Sequence, residues 1–580
     1  MHLSLEQRLL RFLVREERDE QRVHRELRAQ PIELRVLEGE CIQGARFRGE
    51  HGGSFVFEVA DNGSKFRPGD PLQVGDGIDL DDGLPLVCGD YDARTGELRL
   101  ERDPFVRDVD AVLEPGAVYV IDRRPLGLQG RLRDAVRAAF AEPTLIAVLD
   151  GTHRARRDEA RHARAVQRLT QVGLNPAQVA AGAAAIATES LALVQGPPGT
   201  GKTRLLAEVV AALCGAGCRI AVCAYTHRAV DNALLAIRRA APDLPIVKLS
   251  SSSSEGRDEL QAAHVQLADA RRVRLPDRGV VVGGTCFQLA KLGDAVRCHY
   301  TVFDEAGQLP IPHALPGMLR ASRWLFFGDH HQLPPVVTTA HADREAAASI
   351  FAHLHERHGS HLLDTTYRMN DGVCEVVSRT FYGARLRPAE TAAGRRMPFV
   401  AGGRLDEVLD PALGVVWLRV DHHQPGQRSV EEANAVADLV EDLVRRHQVP
   451  PAEIAVIAPF RAQVRLLRSV IQQKQLPGTD ALVVDTVERI QGQEREVVLV
   501  SLTAGDPHES RGRGAFHLST NRLNVALSRA RTKAVLVASA HAFRALPHDV
   551  DGLRMASCCK ELRDRLATVD LSRLYVGTGP

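Results

Sequence analysis

The chain has 580 residues, 74 basic and 73 acidic, so at a net charge of +1 it offers no basic face, and a polyanion would have to be met by a local groove. That length holds two to four domains with ample cores. Ten cysteines include no C-x-x-C pair, and Cys558 and Cys559 are adjacent, which points to free thiols in a reducing compartment and away from a zinc module. The N-terminus is polar and no apolar run approaches about 18 residues, so the expectation is an intracellular, soluble, cytoplasmic protein with no membrane association.

Residues from about Leu5 to Arg28 read as a charged helix, with Leu5, Leu9, Phe12, Leu13, Val23 and Leu27 in a broken apolar stripe and Ser4 with Gln7 offering a capping box. Between Ile32 and Asp122, β-type runs (Ile32 to Ile42, Phe55 to Val59, Glu97 to Glu101, Val118 to Ile121) alternate with Gly, Asp and Pro clusters at small-barrel spacing. The acidic run Asp79-Leu-Asp-Asp-Gly83 lacks the alternating ligands and closing Glu of a calcium loop and reads as a turn. A second helical stretch, Leu132 to Phe140 and then Arg154 to Leu169, leads onward. From Leu174, strands alternate with helical patterns, as in parallel α/β domains, and two such domains fit, divided near His361. The tract Ser250 to Ser254 and the polar helix after it read as an exposed insertion or linker.

The most informative string is Leu191-Ala-Leu-Val-Gln-Gly-Pro-Pro-Gly-Thr-Gly-Lys-Thr203, an apolar strand that runs into a glycine-rich turn and opens an apolar-periodic helix. In the pattern G-x-x-x-x-G-K-[ST], Gly196 and Gly201 let backbone N–H groups close on phosphate oxygens, and Pro197 and Pro198 stiffen the turn around Gly199 and Thr200. The positive helix N-terminus adds to the attraction. Lys202 is placed to neutralise the β and γ phosphates of a nucleoside triphosphate, and the Thr203 hydroxyl to bind Mg²⁺.

Downstream, His299-Tyr-Thr-Val-Phe-Asp-Glu305 is an apolar strand whose tip carries paired carboxylates, with Asp304 fitting an Mg²⁺ partner and Glu305 a base for an attacking water. In Trp324-Leu-Phe-Phe-Gly-Asp-His-His-Gln-Leu-Pro-Pro335, Gln332 is placed to sense the γ-phosphate. Histidines 353, 355, 358 and 361 lie around a helical end at spacings that do not share one face, against a metal site. Thr366-Tyr-Arg-Met-Asn370, Val484-Asp-Thr-Val-Glu-Arg-Ile-Gln-Gly-Gln-Glu494 and Leu523-Asn-Val-Ala-Leu-Ser-Arg-Ala-Arg531 complete an ordered series.

With that series the chain resembles the superfamily 1 helicases from about Asn175 to Ser539, in the branch that includes the nonsense-mediated-decay RNA helicase, the immunoglobulin mu-binding helicase and the replication nuclease-helicase. The helix, barrel and helix upstream are similar in layout to the stalk and barrel of the immunoglobulin mu-binding helicase. The resemblance implies an α/β fold with two tandem RecA-like P-loop NTPase domains, preceded by a helical stalk and a small β-barrel. The expected units are a stalk helix (1–30), a barrel (31–125), a second stalk helix and linker (126–172), the first RecA-like domain (173–360, with a short insertion at about 240–278), the second (361–548) and a C-terminal tail (549–580).

Carried over residue by residue, the resemblance implies that Gln178 in Leu174-Asn-Pro-Ala-Gln178 reads the adenine edge, Tyr367 stacks on adenine, Glu494 holds the ribose, and Arg368 and Arg529 reach the γ-phosphate from the second domain. Arginines on the opposite wall bind only while the γ-phosphate bridges the cleft, so hydrolysis releases closure. For single-stranded or forked DNA or RNA, the matching positions are Thr226, His227, Thr285, Pro459, Phe460 and Thr486. Tyr225, Phe287 and Phe460 are candidate stacking platforms, with core packing the competing role for the first two. Aromatics at 4 % of the chain favour backbone tracking over base reading.

The implied activity is ATP-dependent 5′-to-3′ translocation and unwinding. An ATP-gated clamp and an ATPase that strips protein from nucleic acid stand as alternatives. The acidic motif carries Ala306-Gly307, an allowed small-residue variant, and no segment reads as a nuclease or a cysteine-histidine zinc domain. The chain is expected to act as a monomer, with protein partners meeting its barrel or stalk.

Overall fold

A computed structural model describes residues 3–60, 62–66, 70–78, 83–92, 95–102, 113–124, 129–249, 257–293, 296–337, 341, 343–422, 426–505, 519–544 and 549–574. The calcium-like run, apart from Gly83, and the serine tract 250–254 lie outside them.

The first helix, Leu5–Arg28, has its capping box: Gln7 N–H donates to Ser4 Oγ and Ser4 N–H to Gln7 Oε1. Leu9, Phe12 and Leu13 pack with Leu132 and Val136 of the helix Gln129–Ala139 into a core shared with the first α/β unit. Arg8 fixes the same face to that unit through Asp343 (2.5 Å) and Glu345 (2.6 Å). The apolar stripe fades beyond this contact, and Val23 is 49 % exposed.

The β run expected over Ile32 to Ile42 is corrected, because Ile32–Leu37 is a short helix behind Pro31 and the strand starts only at Cys41. The apolar alternation misleads because the buried position is Arg35, which is ion-paired with Asp122 and donates to Gly77 O at 2.6 Å, while Leu34 and Leu37 are exposed. Strands β1 (Cys41–His51), β2 (Ser54–Glu58), β3 (Pro71–Gly75), β4 (Leu84–Asp92), β5 (Glu97–Arg102) and β6 (Val118–Arg123) close a barrel in the order β1-β2-β5-β4-β3-β6. Alternate residues such as Leu98 and Leu100 point inward onto Phe47, Phe57 and Leu86, the period-2 pattern of a half-buried strand. Helices Pro143–Asp150 and Glu159–Gln171 follow Gln129–Ala139; the first of the two is the continuous apolar run Leu145-Ile-Ala-Val-Leu149, which shows no helical period in sequence.

Eight strands form the first parallel sheet: β7 (Leu191–Gln195), β8 (Arg219–Ala224), β9 (Ile246–Leu249), β10 (Gln266–Ala268), β11 (Val280–Thr285), β12 (Tyr300–Phe303), β13 (Trp324–Gly328) and β14 (His361–Leu362), in the order β10-β9-β11-β8-β12-β13-β7-β14. The stretch expected as an insertion at 240–278 therefore contributes two sheet strands, β9 and β10. The chain leaves this sheet only after Leu362, since β14 pairs with Val194 and Gln195.

A two-stranded ladder, β15 (Thr365–Thr366) with β16 (Arg387–Pro388), precedes the second sheet. That sheet joins β17 (Val415–Arg419), β18 (Ile454–Ile457), β19 (Val483–Asp485), β20 (Arg495–Ser501), β21 (Ala530–Ala538) and β22 (Ala567–Asp570) in the order β19-β18-β20-β21-β17-β22. The stretch read as a C-terminal tail is corrected in the same way: helix Val550–Arg565 buries Cys559 and Leu562 in the second core, and β22 pairs with β17.

This topology separates two sets of groups. In the first sheet the phosphate loop follows β7, while Thr226 follows β8 and Thr285 ends β11, on the far side of β12 and β13. In the second sheet Pro459 and Thr486 follow the C-terminal ends of β18 and β19, whereas Glu494 and Arg529 precede β20 and β21 at the opposite ends of the strands.

Candidate nucleotide site and nucleic-acid track

Strand β7 is buried along its whole length, so the turn that follows emerges at a fixed point between the two α/β units. Gly199 and Gly201 have φ of +72° and +76°, the left-handed region where a side chain is strained. A Cβ on Gly201 would stand 2.7 Å from Gln178 Nε2, and one on Gly199 2.5 Å from Arg368 Cβ. Helix Lys202–Gly215 starts without a side-chain cap, which leaves its first N–H groups to an anion. Thr200 folds inward, its hydroxyl donating to Pro197 O at 2.7 Å, and Thr203 sits half-buried in the first turn.

Lys202 Nζ is 2.7 Å from Glu305 Oε1 and 3.6 Å from Asp304 Oδ1. Burial works against the ammonium, but Glu305 and Asp304 outweigh it and hold Lys202 above the ordinary lysine range. Lys202 lies nearer Glu305, and burial pushes the less compensated Asp304 up to about 6 against the pull of Lys202. Glu305 adopts φ +51°, a strained conformation for a non-glycine residue, at the start of the turn Ala306–Gln308. Uncapped N–H groups, a threonine hydroxyl and a buried carboxylate are the hard donor set that suits a nucleoside triphosphate and Mg²⁺, and Thr203 and Asp304 are the residues that would hold the ion.

The second unit closes on this loop. Tyr367 N–H donates to Gly199 O at 2.8 Å and Thr366 Oγ1 to Pro198 O at 2.9 Å. Arg368 donates through Nε to Glu494 Oε2 (2.7 Å) and through Nη1 to Ser528 O (3.0 Å). Arg529 is 2 % exposed and donates to two carbonyls, Val525 O (3.1 Å) and Gln493 O (3.2 Å). Burial, with the like charge of Arg368 beside it, pulls Arg529 down to about 9, and Glu305 opposes that pull. A cation so placed gains from any anion that enters between it and Lys202.

Two expected roles take a different form. Gln178, 1 % exposed, accepts from Asn175 N–H (3.0 Å) and donates to Thr200 O (2.9 Å), so its amide braces the phosphate loop and keeps one N–H and one lone pair for a base. Glu494 is engaged with Arg368 and lies 3.8 Å from Arg531 Nη1. Tyr367 is the exposed ring beside them, its hydroxyl accepting from Asn175 Nδ2 at 2.9 Å.

The structure adds residues that the sequence did not single out. Gln332 Nε2 donates to Asp329 Oδ2 at 2.9 Å, and Asp329 also receives Tyr382 from the second unit at 2.6 Å. Asp329 stands inside the quoted Gly-Asp-His-His-Gln string, but no motif points to Tyr382.

Among the track positions, Thr226 is exposed and caps helix His227–Ala240 by accepting from Ala229 N–H at 3.2 Å, with exposed His227 beside it. Thr285 is buried, and Pro459, Phe460 and Thr486 are half-buried. Tyr225 and Phe287 pack edge-on to the buried His313 at 5.8 and 5.5 Å, which assigns their rings to packing. In the helix that follows Phe460, Ala462, Arg465 and Leu466 line a groove of about 670 Å³ together with Gln427 and Arg428. Arg428 and Arg465 are exposed and have no carboxylate partner among the described residues.

The histidines after Ser349 do not converge: His353 and His358 contact the carbonyls of Leu149 and Val148, both at 2.7 Å, and His355 contacts Ser360 Oγ at 2.9 Å. Asp406, Asp442 and His447 do approach one another, yet His447 Nδ1 accepts from Val400 N–H at 3.0 Å, so the neutral ring carries its proton on Nε2, the nitrogen that faces Asp442. A ligating histidine has the reverse arrangement, and Arg446, 3.0 Å from Asp406, completes an ion-pair cluster.

Residues 173–275 and 346–541 each match a family described as an AAA domain. The chain is 29 % identical over 379 residues to the DNA replication ATP-dependent helicase/nuclease JHS1 of Arabidopsis thaliana, covering 62 % of this chain and 28 % of that protein. It is 27 % identical over 414 residues to the helicase/nuclease DNA2 of Mus musculus, covering 65 % and 38 %. The chain thus spans well under half the length of these curated relatives. The crystal structure of Arterivirus nonstructural protein 10 (helicase) aligns with 88 % of this chain and 80 % of its own at 15 % identity and a TM-score of 0.38, too distant to argue from. The domain matches and the relatives' names support ATP-hydrolase domains of the helicase type. No helix among the described residues is long and apolar enough to cross a membrane.

Proposed function

We propose that the chain is a motor that moves 5′ to 3′ along single-stranded nucleic acid and separates strands, driven by ATP held between its two α/β units. In this reading the first unit runs on to Leu362 and the second extends past 548 to include β22, so both differ from the expected 173–360 and 361–548. The observation that carries this reading is the facing of Lys202, Asp304 and Glu305 by Arg368 and Arg529 across a loop whose Gly199 carbonyl is bonded to Tyr367 of the other unit.

In this reading Lys202 leaves Glu305 for the phosphates, which frees Glu305 to orient the attacking water, and Gln332 senses the γ-phosphate. Asp304 and Thr203 would hold Mg²⁺, which would draw charge from the phosphate oxygens. Arg368 and Arg529 lose their anion on hydrolysis, and the units part. The second sheet carries the motion, because its strands connect Arg529 and Glu494 at one end with Pro459 and Thr486 at the other. Thr226, His227, Thr285, Pro459, Phe460 and Thr486 would follow the phosphate backbone without reading sequence. The relatives' names favour DNA as the strand.

The test is ATP hydrolysis with and without single strands, followed by unwinding of matched DNA and RNA forks with either a 5′ or a 3′ tail. Hydrolysis stimulated by single strands and lost in Lys202→Ala and Glu305→Gln is expected, with unwinding only from the 5′ tail. Full activity in either variant refutes the ATP-site assignment, and unwinding only from a 3′ tail refutes the polarity.

A further inference from the structure

Asp329, directly after β13, is 2 % exposed and accepts four hydrogen bonds. Oδ1 receives Gln195 Nε2 (3.3 Å) and His331 N–H (3.2 Å), while Oδ2 receives Gln332 Nε2 (2.9 Å) and the Tyr382 hydroxyl (2.6 Å). Two donors fill the lone pairs of Oδ2, so Gln332 and Tyr382 share one oxygen. Gln332 belongs to the first unit. Tyr382 belongs to the second, at the end of helix Asp371–Phe381, and is 1 % exposed.

The direction of the chain of bonds is fixed by donor chemistry. Asn524 Nδ2 can only donate, and it does so to Tyr382 Oη at 2.8 Å and to His331 O at 2.7 Å. The tyrosine proton must then lie on the Asp329 side. Burial raises the Tyr382 hydroxyl well above its ordinary range and Asp329 adds to the effect, so the proton stays in place.

The helix that carries Asn524 grips the sensor loop from the second unit. In Thr520–Leu527, Asn521 Nδ2 donates to His330 O at 2.9 Å and also to Gln332 O, and Asn524 takes His331 O, so three successive carbonyls are held. Beyond its C-terminal end, Ser528 O receives Arg368, and Arg529 follows. One helix therefore connects the loop that carries Gln332 to both arginines of the opposite wall.

We propose that Tyr382 is a positioning residue of the nucleotide site: its hydroxyl, supplied by the second unit, occupies Asp329 Oδ2 and loosens the hold of Asp329 on Gln332, so the sensor is released to the γ-phosphate only when the units are closed. The inference rests on the reading that this cleft binds ATP. When the units part, Tyr382 leaves, and Oδ2 of Asp329 is left to Gln332 alone, which withdraws the sensor from the phosphate. A charge-assisted hydrogen bond is strong enough for this exchange to matter.

The test uses Tyr382→Phe, which keeps the ring and its packing and removes only the hydroxyl, in the wild-type and Gln332→Ala backgrounds. The readout is the ratio of affinities for a fluorescent non-hydrolysable ATP analogue and for the matching ADP, with kcat and KM for ATP measured alongside. In the wild-type background, Tyr382→Phe should lower the ratio and kcat about tenfold while ADP affinity holds. With Gln332 already replaced, Tyr382→Phe should change neither quantity. An equal loss in both backgrounds means that Tyr382 serves only the contact between units, and an unchanged ratio in Tyr382→Phe means that the hydroxyl has no role; each overturns the proposal alone. A wild-type protein that binds neither nucleotide overturns the ATP reading and the proposal with it.

Discussion

The Lys202 ammonium lies 2.7 Å from the Glu305 carboxylate, an ion pair between the group assigned to the phosphates and the group assigned to the water. Each holds the other out of its working position, so the arriving phosphates have to displace Glu305 from Lys202. Two variants separate these roles. Lys202→Ala should weaken ATP binding and lower turnover by roughly 10²-fold or more, because it removes a phosphate clamp from a buried site. Glu305→Gln should keep or tighten ATP binding, since Lys202 is freed, while hydrolysis falls by a comparable factor. Equilibrium binding of a fluorescent ATP analogue beside steady-state hydrolysis distinguishes them, and the assignment fails if Glu305→Gln binds as weakly as Lys202→Ala.

Among the described residues Arg529 has carbonyls but no carboxylate in hydrogen-bonding contact, and it lies beside Arg368 in a buried setting. Its charge is least costly when an anion faces it, so its contribution belongs to the closed, triphosphate-bound state. Arg529→Ala should reduce kcat by roughly 10³- to 10⁵-fold with little change in ATP affinity. Arg529→Lys should not restore activity, because a single ammonium cannot reproduce the planar fork that meets Val525 O and Gln493 O while presenting donors to a phosphate. Single-turnover hydrolysis provides the measurement.

Gly199 lies at a contact between the units, with its missing Cβ directed at Arg368 and Thr366 Oγ1. Gly199→Ala combines a left-handed backbone, about 1–2 kcal/mol, with a collision 2.5 Å from Arg368 Cβ. It should raise KM for ATP and lower kcat together, whereas Gly293→Ala, at a position with open space around it, should do neither. Equal kinetics for the two variants would show that the contact at Gly199 is dispensable.

Much of this site is legible before any coordinates, because a phosphate loop is dictated by local rules: a buried strand, glycines at positive φ and a helix start. Asp304 and Glu305 are legible for the same reason, as carboxylates at a strand tip. What the sequence conceals depends on packing between distant segments. Tyr382 meets Asp329 only because helix Asp371–Phe381 docks where it does, and its own neighbourhood, Thr380-Phe-Tyr-Gly383, resembles any helix end. The short helix Ile32–Leu37 is concealed by a buried Arg35 whose partner, Asp122, is distant in sequence, on β6 beside β1. Strands β9, β10 and β22, at or next to a sheet edge, have three or four residues, too short to show a period.

Arg428 and Arg465 line a groove on helix Arg461–Gln473, which follows Pro459 and Phe460, in a chain of nearly balanced charge. Phosphate contacts there should dominate its response to salt. Arg428→Glu and Arg465→Glu should each weaken single-strand binding at low salt and reduce the slope of log K against log salt by about one, uniformly across sequences. Fluorescence anisotropy of a labelled oligonucleotide over a salt series measures this. A slope equal to wild type in both variants would remove the groove from the track.

Lys533 in β21 is fully buried, and its ammonium donates to the carbonyls of Asp410 (2.9 Å) and Leu413 (2.8 Å). Burial, only partly opposed by Asp410, pulls it from the ordinary 10.5 down to about 7. A lowered lysine means that between about 7 and 10.5 the unfolded chain binds a proton that the folded chain does not. Through that window the unfolding free energy therefore rises with pH, by up to about 1.4 kcal/mol per pH unit from this group, and below it the group adds no slope. Lys533→Met should flatten the rise between pH 7.5 and about 9.5 in denaturant melts, whatever it does to stability at pH 7. The same slope in both proteins would mean that Lys533 keeps its charge in the fold, and that the two carbonyls alone suffice to solvate it.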